Sequence, residues 1–231
     1  MSWSGGKDSM MALEEIRRTG MYEVVALLTT MTAWEGDDDE RISVHGVRGE
    51  LLRAQTAALG LPLLEIPLPR APSNAEYEAR MAAGVARAAE RWPDARVVVH
   101  GDLFLEEIRR YREALLARCG LRALFPLWGR DTAALARDFV RQSYRAVLTC
   151  VDTRAIDRGC AGREFDDALL DALPPSADPC GENGEFHTFV YNGPCFTRAV
   201  AHRVGRVTMP DERFAYAELL AGDETSTTIH A

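Results

Sequence analysis

Two short stretches are dense in residue types that do chemistry. The first, Ser4-Gly5-Gly6-Lys7-Asp8-Ser9, stands directly before a helical pattern. Its adjacent glycines let the backbone turn tightly and approach a ligand without a Cβ clash. Exposed amides at a helix N-terminus attract an anion, phosphate above all. The hydroxyls of Ser4 and Ser9 add donors, and Lys7 adds a positive charge. The spacing is too short for the G-x-x-x-x-G-K-[ST] loop of the common nucleoside triphosphatases; a loop this compact can wrap a pyrophosphate. The second stretch runs from Asp178 to Val190 (DPCGENGEFHTFV). Gly181 and Gly184 frame polar groups there, and an extended apolar run follows. Glu182, Asn183, Glu185 and His187 can converge at a loop mouth to bind magnesium, hold an amine or move a proton. Strand alternation sets Glu185, His187 and Phe189 on one face and Phe186, Thr188 and Val190 on the other.

The elements between these stretches alternate. Met10, Leu13 and Ile16 share one helical face over residues 10–19, with Gly20 as its stop. Glu23–Thr30 reads as a buried strand of the kind a parallel sheet covers. An exposed acidic loop over 35–44 follows, then a helix near 46–59 that ends at Gly60, and a strand over Leu61–Leu68. Ser73 and Glu76 form a capping box for a helix carrying Tyr77, Met81, Val85 and Ala88, broken at Trp92-Pro93. Arg96–His100 is a strand that runs into Gly101-Asp102. A helix over Leu105–Arg118, a strand over Ala123–Trp128, a helix over 132–143 capped by Asp131, and a strand over Arg145–Val151 complete the series. This rhythm implies βαβ units and a mostly parallel sheet. After residue 152 a short helix near 164–173 and two extended stretches, near 186–191 and 196–209, read as a small lobe packed on the α/β part. The division is then 1–152 and 153–231.

Composition bounds the function classes. The 231 residues are 47% hydrophobic and 27% charged, ordinary for a globular chain and incompatible with general disorder. No apolar run approaches the ~20 residues of a bilayer span, so no membrane partner is expected. A net charge of −8 argues against broad binding to nucleic acid. The cysteines (Cys119, Cys150, Cys160, Cys180 and Cys195) are odd in number, widely spaced and without C-x-x-C, so neither a zinc ribbon nor a disulfide framework is expected. With no secretory signal at the N-terminus, a reducing cytoplasm is the expected compartment. Oligomeric state is not readable.

SGGKDS resembles the pyrophosphate loop of the N-type ATP pyrophosphatases, in the adenine nucleotide α-hydrolase group. With GENGEFHT it resembles the diphthine–ammonia ligases more narrowly. His45-Gly46, Gly101-Asp102-Leu103-Phe104 with Glu106, Arg109 and Arg112, Phe125-Pro126-Leu127-Trp128, Gly162-Arg163 with Phe165-Asp166, and Asn192-Gly193-Pro194 extend the likeness over nearly the whole chain. The resemblance implies a Rossmann-like, HUP-type parallel sheet with helices on both faces and a small C-terminal α+β lobe. It implies ATP and magnesium at the C-terminal strand edge, with Ser4, Gly5, Gly6, Lys7, Asp8, Ser9, Thr29, Gly101 and Asp102 around the nucleotide and Asp8 and Asp102 near the metal. Catalytic roles are expected for Lys7 and Asp8 and, from residue type alone, for Glu182, Glu185 and His187, which can position the second substrate or deprotonate ammonium; Glu106, Arg109, Asn183 and Thr188 are the expected contacts to that substrate. The implied reaction adenylates a carboxylate, releases pyrophosphate, then lets ammonia displace AMP. Diphthine on elongation factor 2 is the acceptor where the host makes it. Two other readings keep the nucleotide site: a different acceptor, carboxylate or RNA base, and a nucleotide sensor without turnover. The first strand of such a sheet is central, yet only three residues precede the loop, so a stunted first strand is expected (~3.3 Å per residue).

Overall fold

The computed structural model describes residues 1–33, 40–42, 45–210 and 212–222. Strand β1 (Leu27–Ala33) pairs in parallel with β3 (Leu63–Leu68), in the register Leu27↔Leu63. The short β2 (Glu40–Ile42) pairs antiparallel with the far end of β1. On that same edge of β1, Trp3 N–H donates to Leu28 O and Leu28 N–H donates to Met1 O, both at 2.8 Å. Ser2 N–H donates in turn to Val99 O at 2.8 Å. Val99 ends β4 (Val97–Val99), which pairs in parallel with β5 (Arg122–Leu124). Residues 1–3 are therefore the hinge line of the sheet, with β3 and β1 on one side and β4 and β5 on the other. As the spacing predicts, this first strand is stunted: it makes a single parallel bridge, Ser2↔Leu28. Below Met1, at the N-terminal ends of the strands, a cavity of about 640 Å³ opens between residues 24–28 and 95–99. It lies at the opposite end of the sheet from the glycine-rich loop.

The helices follow their signals. Helix α1 (Lys7–Thr19) buries Met10, Leu13 and Ile16 and stops at Gly20, whose left-handed backbone (φ 63°) turns its N–H to Ile16 O. Helix α2 (Gly49–Ala58) packs Leu51 and Leu52 inward. Both arms of the Ser73–Glu76 capping box are present at the start of α3 (Asn74–Arg91). Helix α4 (Glu106–Arg118) follows the loop after β4, and Asp131 caps α5 (Thr132–Arg141) through the Ala134 N–H.

Several expectations need correction. β1 starts at Leu27 rather than Glu23, because β3 begins to pair only after Pro62. β5 ends at Leu124 because Phe125-Pro126 turns away, and Pro126 has no N–H to give a ladder. The acidic loop over 35–44 lies mostly outside the described residues, apart from β2. The largest difference concerns β6 (Arg145–Asp152), buried from Ala146 onward. It does not extend the parallel sheet. It pairs antiparallel with β7 (Phe186–Asn192) and with β9 (Phe214–Ala221), and β9 pairs with β8 (His202–Thr208), giving the order β7-β6-β9-β8. β9 is a strand the sequence reading lacks. Its inward residues include Ala215 and Ala217, small helix formers that give no apolar alternation to read. Between β6 and β7 lie a 3-10 turn (Arg158–Cys160) and the short α6 (Asp167–Ala172).

One hydrophobic cluster runs through both sheets, from Trp3, Met10 and Leu13 to Phe139, Phe186, Phe189 and Leu219. The glycine-rich loop lies at this junction. Val190 N–H of β7 donates to Gly5 O at 2.9 Å, so the loop is hydrogen-bonded to the edge of the second sheet.

Candidate functional site

The loop Ser4–Ser9 leaves the end of the stunted strand and becomes the first turn of α1. Gly5 holds φ +75°, and an added Cβ would meet Gln55 Oε1 and Leu52 Cδ1 at 3.1 Å. A Cβ on Gly6 would meet the Thr188 carbonyl at 3.0 Å. Close packing against α2 and β7 thus requires these glycines. Gly6 N–H points to Ser4 Oγ (3.2 Å), Ser4 Oγ lies 3.3 Å from Ser9 Oγ, and Ser9 Oγ donates to Gly6 O (2.8 Å). Two hydroxyls and an amide thereby gather at the helix start, where the dipole favours an anion; the Gly6 N–H and the Ser9 hydroxyl are donated within the loop and would have to turn to a ligand.

Lys7 is nearly sealed, at 3% exposure. Its Nζ meets both Asp8 carboxylate oxygens at 2.9 Å and also donates to the Cys180 carbonyl. The rings of Phe165 and Phe186 lie 5.7 and 5.5 Å away. Burial works against the ammonium, but the Asp8 carboxylate and its neighbours outweigh it and hold Lys7 above its ordinary value. Its backbone N–H donates to Thr188 Oγ1 at 3.1 Å. Thr188, on β7, therefore anchors the loop. It belongs to the face that carries Phe186, as strand alternation predicts.

The strand ends add the rest. Gly101 packs against α1 so closely that a Cβ would sit 2.8 Å from the Asp8 carbonyl carbon and 3.0 Å from Ser9 N. Asp102 accepts from Arg112 Nε at 3.1 Å, so any metal it holds must share it with a guanidinium. Thr29, on β1, is 3% exposed and its Oγ1 has no hydrogen-bond partner. The same is true of both ring nitrogens of His100, 4% exposed, which stacks on Phe125 at 5.4 Å. These orphaned polar atoms flank residues 1–3 at the C-terminal edge of the sheet. Buried polar atoms without partners are costly, and a ligand that brings polar edges is one way to satisfy them. Among the described residues no cluster of three acidic, histidine or cysteine side chains could hold a metal.

The second stretch closes over Lys7. Asp178 Oδ1 accepts from the N–H groups of Cys180 and Glu182, forming the turn. Glu182 Oε1 accepts from Leu103 N–H at 2.7 Å, tying this loop to the segment after Gly101-Asp102. Burial pushes its carboxyl up to about 7. Glu185 is 5% exposed; its Oε1 accepts from Asp178 N–H (2.9 Å) and Asn183 Nδ2 (3.0 Å). It fastens the loop on itself. His187 lies 4.3 Å from the His45 ring, and burial pulls it down to about 4. Burial also pushes the Cys180 thiol up to about 12, so it packs as a protonated hydrophobe.

The structure thus gathers Ser4–Ser9, Gly101, Cys180, Glu182 and Thr188 round one point. The expected substrate contacts Glu106 and Arg109 lie on α4, and Arg109 stands over Phe125 at 5.4 Å, the ring that stacks on His100. Glu106 is exposed and its carboxylate lies 3.9 Å from Arg110 Nε. Arg109 donates to Glu113 at 2.9 Å and lies over the Trp128 ring at 4.7 Å. Gln55, Trp3 and His100 are site neighbours that the sequence reading passes over. A lone glutamine on an amphipathic helix carries no signal, whereas a tryptophan touching a glycine-rich loop does.

Comparison with known proteins identifies the family. Residues 1–123 match the family model described as the diphthamide synthase N-terminal domain, and residues 131–208 match that of the C-terminal domain. A diphthine–ammonia ligase of Schizosaccharomyces pombe is 26% identical over 210 residues. The match covers 85% of this chain and 34% of that protein, so the chain spans about a third of the relative's length.

Proposed function

The chain belongs to the diphthine–ammonia ligase family, and from that premise we propose that it is an ATP-dependent ligase. Its sheet order, with the nucleotide at the edge where residues 1–3 end, is read as Rossmann-like. The substrates are ATP, a carboxylate and ammonium, in the cytoplasm. The observation that carries the reading is the gathering of Gly6 N–H, Ser4 Oγ and Ser9 Oγ at the start of α1, with Lys7 beside them.

A carboxylate is a poor acyl donor because oxide is a poor leaving group, and AMP is a far better one. Attack of the carboxylate oxygen on the α-phosphorus forms an acyl-adenylate and expels pyrophosphate. The loop donors and the Lys7 charge stabilise the negative charge that grows on the departing group. Lys7 must exchange its Cys180 carbonyl contact for a phosphate oxygen to do so. Asp8 and Asp102 would hold magnesium, which neutralises phosphate charge. Ammonia then attacks the acyl carbon, and AMP leaves with an amide formed. A base poised near working pH is the effective one for taking the ammonium proton. That favours Glu182, at about 7, over His187, at about 4. Glu185 orders the loop that presents Glu182.

The test is product analysis with a panel of carboxylates. AMP and pyrophosphate released only when carboxylate and ammonium are both present support the ligase. ATP bound without turnover under every combination would leave a nucleotide sensor instead.

A further inference from the structure

Gln55 lies on α2, outside every motif the sequence singles out, and it is fully buried at 0% exposure. Its amide meets three separate segments. Trp3 Nε1 donates to its Oε1 at 2.9 Å. Its Nε2 donates to Gly5 O at 2.8 Å and to Val190 O at 2.5 Å. The orientation of the amide is settled by its partners: an indole N–H only donates and a carbonyl only accepts, so oxygen must face Trp3 and nitrogen the two carbonyls. Gly5 O also accepts from Val190 N–H, so this carbonyl is held by two donors.

The Gly5–Gly6 peptide is planar and trans, so its N–H points away from its carbonyl. Fixing Gly5 O inward, toward α2 and β7, therefore fixes Gly6 N–H outward, toward the Ser4 and Ser9 hydroxyls. We propose that Gln55 is a positioning residue for the phosphate-binding loop, setting the direction of the Gly6 amide that the departing pyrophosphate meets. The inference rests on the reading of Ser4–Ser9 as a pyrophosphate site and deepens it. The clamp also explains why the loop can stay ordered with two glycines: a flexible dipeptide is held by a rigid side chain whose own bonds are all made. Trp3 completes the device by occupying Gln55 Oε1 from the strand that feeds the loop.

The test compares wild type with Gln55→Met, similar in volume but without the amide. Affinities for inorganic pyrophosphate with magnesium and for adenosine are measured by calorimetry, and the Gly6 amide is followed by ¹⁵N NMR. The expected result is a roughly tenfold weaker pyrophosphate affinity, the scale of one lost positioned donor. Adenosine affinity is expected to be unchanged, and the Gly6 resonance to move in the absence of nucleotide. Trp3→Phe, which frees Gln55 Oε1 but keeps both carbonyl contacts, is expected to show the same selectivity with a smaller loss; it carries the test if Gln55→Met does not fold. Affinities that fall together, or a Gly6 resonance that stays put, overturn the positioning role and leave the pyrophosphate site standing. A wild-type protein that binds neither pyrophosphate nor ATP overturns the site reading and the inference with it.

Discussion

Lys7 has to stay charged inside a shell that contains two phenylalanine rings. Asp8 makes that possible and also neutralises it, so the pair is poised for an anion that can compete with a carboxylate and a backbone carbonyl. Lys7→Met keeps the volume and the packing on Phe165 and Phe186. Release of AMP from ATP is expected to fall by about two orders of magnitude or more, the scale of a lost transition-state contact. Wild-type turnover in this variant would remove the lysine from the chemistry. Glu182 carries the pH dependence at this scale. Its folded-state carboxyl titrates at about 7, above the ordinary glutamate value of 4.5, chiefly through burial. Between these values the folded chain holds more protons than the unfolded one, so stability falls as pH rises through that window and levels off above it. Part of the carboxyl is open to solvent, so the loss is about 1–2 kcal/mol. Glu182→Gln, which keeps an acceptor for Leu103 N–H, is expected to flatten urea-denaturation stability between pH 5 and pH 7, set by those two titration points. A slope equal to wild type would assign the pH dependence to another group.

At the scale of elements, the site depends on how closely a strand end can approach a helix start. Gly101 lets β4 run into the first turn of α1, where an added methyl would press on the Asp8 backbone at 2.8 Å. Backbone cannot swing aside as a side chain can, so Gly101→Ala is expected to cost roughly 1–3 kcal/mol. It should also weaken ATP binding by displacing Asp8 and Ser9. Thermal melting checks the first effect and nucleotide titration the second; an unchanged melting point would mean that α1 yields freely. Much of this arrangement was legible beforehand. The Ser73–Glu76 capping box, the Asp131 cap and the Gly20 stop are local chemistry, fixed by residues a turn apart, and each stands where the sequence places it. The place of SGGKDS at the start of α1 is legible for the same reason. What is not local is not legible. Whether β6 joins the parallel sheet or an antiparallel one depends on which edges are free, and its run of apolar residues fits either. The Gln55 clamp joins residues 52 and 135 positions apart, and nothing in one helix announces it. Glu185 is a sharper case: residue type offers a catalytic carboxylate, but not that its Oε1 accepts two hydrogen bonds within the loop while its buried Oε2 has no hydrogen-bond partner.

At the scale of the molecule, one large hydrophobic cluster joins the two sheets, and the glycine-rich loop lies where they meet. β6 is buried along nearly its whole length and has β7 on one edge and β9 on the other, both from the C-terminal part of the chain. The loop that carries Lys7 is held by Thr188 and Val190 of β7, and the Lys7 ammonium by the Cys180 carbonyl. A fragment ending at Asp152 would therefore keep every residue of Ser4–Ser9 and lose most of what orders them. It would also expose both edges of an apolar strand, a strong template for aggregation. We expect residues 1–152 alone to show no cooperative thermal transition and no pyrophosphate binding, while the full chain unfolds in one transition because its main hydrophobic cluster runs through both sheets. Far-UV circular dichroism and calorimetry on the two chains distinguish the outcomes. A fragment that melts cooperatively and still binds pyrophosphate would mean that the loop's geometry is written into the N-terminal elements alone, and that β7 covers a site it does not help to build.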